Sequence, residues 1–139
     1  MKRHVKIALI YAVLAMVFGV FYREFTKAYD FDGITALGRI HTHLFVLGMG
    51  VFLLVALFDD RLNLQSSKLY LPFMIIYNCG VGVLVTMLTV RGVFDVIGGE
   101  YSDGAISGIA GLGHVVLAVG IVLLFVMLIK QIKSVNTEK

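Results

Sequence analysis

The sequence predicts an all-α protein: an antiparallel four-helix transmembrane bundle with both termini on the cytoplasmic side. Three observations predict it. Hydrophobic residues make up 59% of the 139 positions and charged residues only 15%, against about 25% charged in an ordinary soluble domain. Four stretches without Asp, Glu, Lys or Arg, at 7–22, 40–58, 69–90 and 105–129, approach or exceed the ~20 apolar residues that cross hydrocarbon. If the stretches alternate in direction, one side receives Lys2, Arg3, Lys6, Arg61, Lys68, Lys130, Lys133 and Lys139, and the other Arg23, Lys27, Arg39 and Arg91. The basic excess places the termini inside.

The elements follow in order. The first stretch is the shortest, and flanking Lys6 and Arg23 extend it by reaching toward headgroups. Its basic leader, Met1-Lys2-Arg3-His4, resembles the start of a secretory signal, but the run ends in Phe21-Tyr22-Arg23-Glu24 with no small-x-small cleavage pattern. A retained helix is expected, with His4 solvated in the leader. Residues 23–39 form an outer connection carrying Phe25, Tyr29 and Phe31, and 92–104 form another with Gly98-Gly99-Glu100-Tyr101. Aromatics there either anchor the interface or cap a site. The inner connection, 59–68, is short and polar, as an antiparallel pair requires.

Pro72 falls in the first turn of the third stretch, where a missing N–H costs little. Farther along, Asn78 is expected to bridge helices, while Thr86 and Thr89 are expected beside a pocket in the outer half. Cys79, the single cysteine, forms no internal disulfide and is expected as a small buried hydrophobe. The net charge of +3 is spread over helix ends, with no basic patch for nucleic acid.

Histidines carry the functional signal. His41 and His43 stand near the mouth of the second stretch, and His114 stands in the fourth. Counting back from Asp59 to His43 and from Lys130 to His114 gives sixteen residues in each case, and from Asp59 to His41 eighteen. At 1.5 Å per residue all three lie about 24–27 Å from the inner charges. Ionisable side chains at one depth in a membrane point to a cofactor, metal or proton site. On a helix, His41 and His43 point about 200° apart, so one is expected to bind and the other to serve otherwise. Gly38 and Gly48 near His41, and Gly111 near His114, leave strips where a flat ligand could approach the backbone, or else are small-residue helix contacts.

The run Ile40-His41-Thr42 followed by Gly48-Met49-Gly50 resembles the second helix of the haem-copper oxidase and nitric oxide reductase superfamily, where a histidine near the helix mouth ligates low-spin haem b. The chain as a whole resembles an uncharacterised family of short bacterial four-span membrane proteins with Tyr-Arg-Glu-Phe-Thr-Lys and His-Thr-His-Leu segments. The superfamily resemblance implies His41 as an axial ligand and, by analogy, His114 as the second, with His43 as the alternative on the second span. It implies no oxygen reduction, because no segment matches the superfamily's copper-ligating histidines.

A haem b held by two imidazoles would serve one-electron transfer or redox or gas sensing, and the protein would be a binding or electron-transfer protein more than a bond-making catalyst. Arg39, Arg23 and Arg91, at the outer ends, are the candidate partners for propionates. Copper or zinc on His41, His43 and His114 is the alternative, and a structural or small-solute transport protein is another. The expected setting is multi-pass in the bacterial inner membrane. Lipid surrounds the chain, a quinone or redox protein would exchange the electron, and a homo-oligomer is compatible with it.

Overall fold

The computed structural model describes residues 2–99 and 102–137. Glu100, Tyr101 and Lys139, which entered the reading of loops and charges, lie outside them. The elements are α1 (Lys2–Ala28), α2 (Leu37–His43), a π-helical segment (Leu44–Gly50), α3 (Val51–Leu62), a 3-10 turn (Leu64–Ser66), α4 (Tyr70–Ile97) and α5 (Asp103–Thr137). Because α2, the π segment and α3 run on as one rod, four helical rods are long and apolar enough to cross a membrane: Lys2–Ala28, Leu37–Leu62, Tyr70–Ile97 and Gly104–Ser134. The bundle is that of a multi-pass membrane protein. Each rod outruns its charge-free stretch, since helical hydrogen bonding continues while long basic side chains lean toward polar surroundings.

Helix ends follow local chemistry. Asn63 adopts the left-handed conformation (φ 47°) after α3, and its N–H donates to the Asp59 carbonyl at 3.0 Å. Gly98 does the same after α4 (φ 70°), donating to Phe94 O at 3.1 Å, a conformation glycine adopts without a Cβ penalty. The start of α2 is held from α4. The Ala36 N–H donates to Asp95 Oδ2 at 3.0 Å, the Leu37 N–H to Thr35 Oγ1 at 3.3 Å, and the Thr35 hydroxyl to Gly92 O at 2.8 Å. Two amides that a helix start leaves unpaired are thereby satisfied.

The rods pack as two pairs, α1 on the rod of α2 and α3, and α5 along α4. The pairs meet where α2 crosses α4 and where α3 touches α5 near the face that carries the termini. There Gln131 Nε2 donates to Asn63 O and Ser66 Oγ at 3.2 and 3.0 Å. Lipid tails are as apolar as leucine, so close contact holds such helices together. A Cβ built on Gly80 would fall 2.7 Å from the Leu117 backbone nitrogen, and one on Gly120 2.9 Å from Tyr77 Cα, so α4 and α5 touch backbone to backbone. An aromatic group fills the centre: Tyr11 stacks on Phe52 with centroids 5.7 Å apart, and Phe73 and Tyr77 complete it.

Candidate cofactor site

The second span changes its winding directly after His43. Leu44–Gly50 is π-helical, a wider turn that recurs at functional sites. Tyr77 on α4 gives its hydroxyl proton to Leu47 O at 2.7 Å. Gly48, within the segment, lies flat against the Tyr11 ring of α1, where no side chain fits. The π segment is thus clamped from two sides, by α1 and α4, and fixes the rotation of the helix that carries both histidines.

The two histidines take different directions. His41 is partly buried and faces α1, where a Cβ on Gly19 would meet its Cβ at 3.9 Å. Its Nδ1 is buried and lacks a hydrogen-bond partner among the described residues. His43 points about 200° away from that contact by helical phase, and the hollow beside it is lined by Thr42, His43, Val46 and Leu47. Its Nδ1 lies 2.8 Å from Arg39 O. A carbonyl only accepts, so Nδ1 carries a proton, and in the neutral imidazole Nε2 keeps its lone pair.

His114 repeats that chemistry on α5, with Nδ1 2.8 Å from Ala110 O. It is exposed on the outside of the bundle. The neighbouring Gly113 faces inward against Val83 and Leu84 of α4, and one helical step turns His114 away from that contact. α5 packs on α4 and reaches the second span through α3, so the halves of α2 and α5 that bear the histidines are not packed together. His41 thus faces α1 while His114 is exposed on α5, and their rods meet where α3 touches α5. Nor do three of His, Cys, Asp and Glu group as metal ligands among the described residues. The copper or zinc centre of His41, His43 and His114 is not assembled within one chain.

Arg39 and Arg91 do come together. With Ile34, Thr35, Ala36, Leu88 and Asp95 they line a crevice of about 250 Å³ between the ends of α2 and α4 remote from the termini. Arg39 lies one helical turn before His43 and on the same face. Arg23 lies elsewhere, exposed near the end of α1, 3.8 Å from Glu24.

A family model described as a protein of unknown function, DUF2871, matches residues 1–131. The chain belongs to the DUF2871 family. No curated protein and no solved structure matches it. In this DUF2871 member the glycines near the histidines divide by role. Gly38 faces Tyr22, whose Cζ would lie 3.4 Å from an added Cβ, and Gly48 faces Tyr11. Rings of α1 already occupy both strips, which corrects the expectation of a flat ligand there. Gly111 has nothing within 4 Å of an added Cβ and stays open.

Other expectations also move. Cys79 is exposed, because α4 turns it away from α5. Asn78 does bridge spans, accepting the Tyr11 hydroxyl proton at 2.6 Å. Thr86 does line a hollow, shared with Tyr11, Leu44 and Asn78, and Thr86 and Thr89 both donate within their own helix, to Gly82 O and Val85 O at 2.8 Å. His4 is fully buried, against the expectation of a solvated leader. Its Nε2 is 2.8 Å from the Tyr70 hydroxyl, and its Nδ1 is 3.4 Å from Asp59 Oδ2 without an aligned hydrogen bond. Asp59 also accepts from the Gln65 backbone and side-chain N–H groups at 3.2 and 2.7 Å. This cluster ties α1, the end of α3 and the start of α4 at the face carrying the termini. Its sequence signal was spread over three segments, with no motif joining them.

Proposed function

We propose that this chain is a b-type haem protein of the membrane, in which the imidazoles of His43 and His114 would hold the haem, with a role in one-electron transfer or in redox or gas sensing. The observation that carries the reading is the shared tautomer of these two imidazoles. Both commit Nδ1–H to the carbonyl four residues before, which fixes the ring and leaves Nε2 as a lone-pair donor. Histidines that ligate metals characteristically make this second hydrogen bond. The equal distance of His43 and His114 from Asp59 and Lys130 adds support, as does the resemblance of 40–50 to a low-spin haem helix.

The donor set fits the group. Bis-imidazole haem supplies a reversible one-electron couple when bound. Around it, Arg39 and the crevice it shares with Arg91 suit carboxylates at the interface, since guanidinium pairs with them through two parallel hydrogen bonds. His41 packs on α1 and positions the second span. The surrounding apolar helices exclude water, which raises the weight of each nearby charge on the potential. The termini are assigned to the cytoplasm of a bacterial inner membrane, with the histidines in the outer half and a quinone or redox protein as the electron partner.

Purification in mild detergent from cells supplied with haem precursor tests this. An absorption band at about 410–430 nm that shifts on dithionite reduction is expected, and its loss in both His43→Ala and His114→Ala. A colourless wild-type protein, or a full spectrum in both variants, overturns the proposal.

A further inference from the structure

α1 packs on the second span and α4 on α5, so α1 and α4 meet along a seam that is not closely packed. Two side-chain bonds cross it. His4 Nε2 lies 2.8 Å from the Tyr70 hydroxyl at the face carrying the termini, and deeper in the Tyr11 hydroxyl donates to Asn78 Oδ1 at 2.6 Å. Beside the second bond the seam widens into a hollow of about 460 Å³, lined by Tyr11, Asn78, Gly82, Thr86 and aliphatic side chains of both helices, with buried Leu44 of the π segment at its back. Small-molecule sites are of this size. Ile10 and Thr86 in its lining are exposed, so in a membrane it opens toward lipid. No histidine and no charged residue lines it, which separates it from the haem ligands and suits a neutral guest.

Asn78 gives the hollow its chemistry. It stands eight residues into α4, about 12 Å along the helix from Tyr70, at a depth where the bilayer supplies no water. Two bonds fix its amide: Oδ1 takes the Tyr11 hydroxyl proton, and one Nδ2 hydrogen goes to Met74 O at 2.6 Å. The second Nδ2 hydrogen has no acceptor among the described residues, and an unserved amide hydrogen in hydrocarbon is costly. We infer that the hollow binds a lipid-soluble quinone, whose ring carbonyl accepts this hydrogen and whose tail leaves between α1 and α4 into the bilayer. A quinone is flat and neutral, and its carbonyls only accept; an acyl chain in the same place would leave the amide unserved. Leu44 directly follows His43 in the chain, so the hollow adjoins the helix that carries one proposed haem ligand. The choice of a quinone over other neutral lipids rests on the redox reading above, to which the inference adds the place where the electron partner binds.

Calorimetric titration of the full chain in mild detergent with decylubiquinone tests this. Saturable binding is expected, weakened about tenfold in Asn78→Leu, which keeps the volume and removes the N–H donor. Because that variant also takes the acceptor from Tyr11 and could fold poorly, Gly82→Leu supplies a second measurement. An added Cβ at Gly82 meets nothing within 4 Å, so the unfolding temperature should hold while the new side chain fills the hollow and weakens binding by about tenfold or more. No saturable binding to the wild-type chain, or wild-type affinity in either variant, overturns the inference. Decylbenzene, which lacks the carbonyls, should not compete; equal competition would make the occupant a lipid tail and overturns it as well. The absorption spectrum of the same samples keeps the two readings apart. A pigmented protein that binds no quinone refutes this site alone, and a colourless protein that binds it refutes the haem reading alone.

Discussion

The Tyr77 hydroxyl donates to the Leu47 carbonyl across the interface of the second and third spans, at 2.7 Å, inside the only π-helical segment among the described residues. The wide turn and its external donor belong together. The donor is one of the most buried side chains in the protein, so the π segment is tied to the core of α4. The histidine-bearing end of the rod is thus set by a contact one turn deeper.

Tyr77→Phe should lower stability by about 1–2 kcal/mol, since a buried carbonyl loses its donor while the ring still fills its space. Thermal unfolding in detergent reads this directly. If the π segment then rewinds, the direction of His43 changes, and the haem absorption of the loaded protein should shift or weaken.

Gly48→Ala and Gly111→Ala form a contrasting pair. At position 48 the new methyl group meets the Tyr11 ring, and overpacking should cost about 1–3 kcal/mol. At position 111 the methyl group meets nothing within 4 Å, and the unfolding temperature of the haem-free chain should be unchanged or slightly raised. Equal effects at the two positions would contradict the placement of α1 against the π segment.

The buried cluster at the other face predicts coupling. His4→Ala should cost about 1–3 kcal/mol by removing the partner of Tyr70 and a neighbour of Asp59. Asp59→Asn should weaken the same cluster, which also holds Gln65. Because the two side chains share one network, the double variant should be less destabilised than the sum of the single ones. Strict additivity in a double-mutant cycle would mean that the contact at 3.4 Å carries no energy.

How far the chain could be read in advance depends on the range of each interaction. Four spans follow from composition along the chain, and the stop at Gly98 follows from a residue that tolerates positive φ. Asn78 could be read as a bridge because an amide in hydrocarbon must find a partner somewhere. The partner itself, Tyr11, could not, since helix rotation sets it. His4 was misread because nearby lysines and an arginine suggested water, while the deciding groups, Asp59 and Tyr70, lie more than fifty residues away. Gly38 and Gly48 were misread for the same reason: a glycine beside a histidine leaves a gap, and sequence does not tell whether a ligand or a tyrosine of α1 fills it. The common depth counted for His43 and His114 rests on helical rise alone. Their outward directions needed the packing of α5 on α4.

Arg39→Gln closes the series, because it separates a charge that serves the proposed site from one that does not. Arg39 lines the crevice with Arg91 and stands one turn from His43, whereas Arg23 is 81% exposed beside Glu24 on another helix. A charge-assisted hydrogen bond to a propionate is worth about 1.5–3 kcal/mol, so its loss should weaken haem binding by roughly 10- to 100-fold. Arg23→Gln should leave binding unchanged, as exposed ion pairs contribute little. Haem titration into the apoprotein, followed at the absorption maximum, measures both. Equal affinities in the two variants would remove Arg39 from the site and return it to ordinary interfacial anchoring, where its guanidinium only meets headgroups and water.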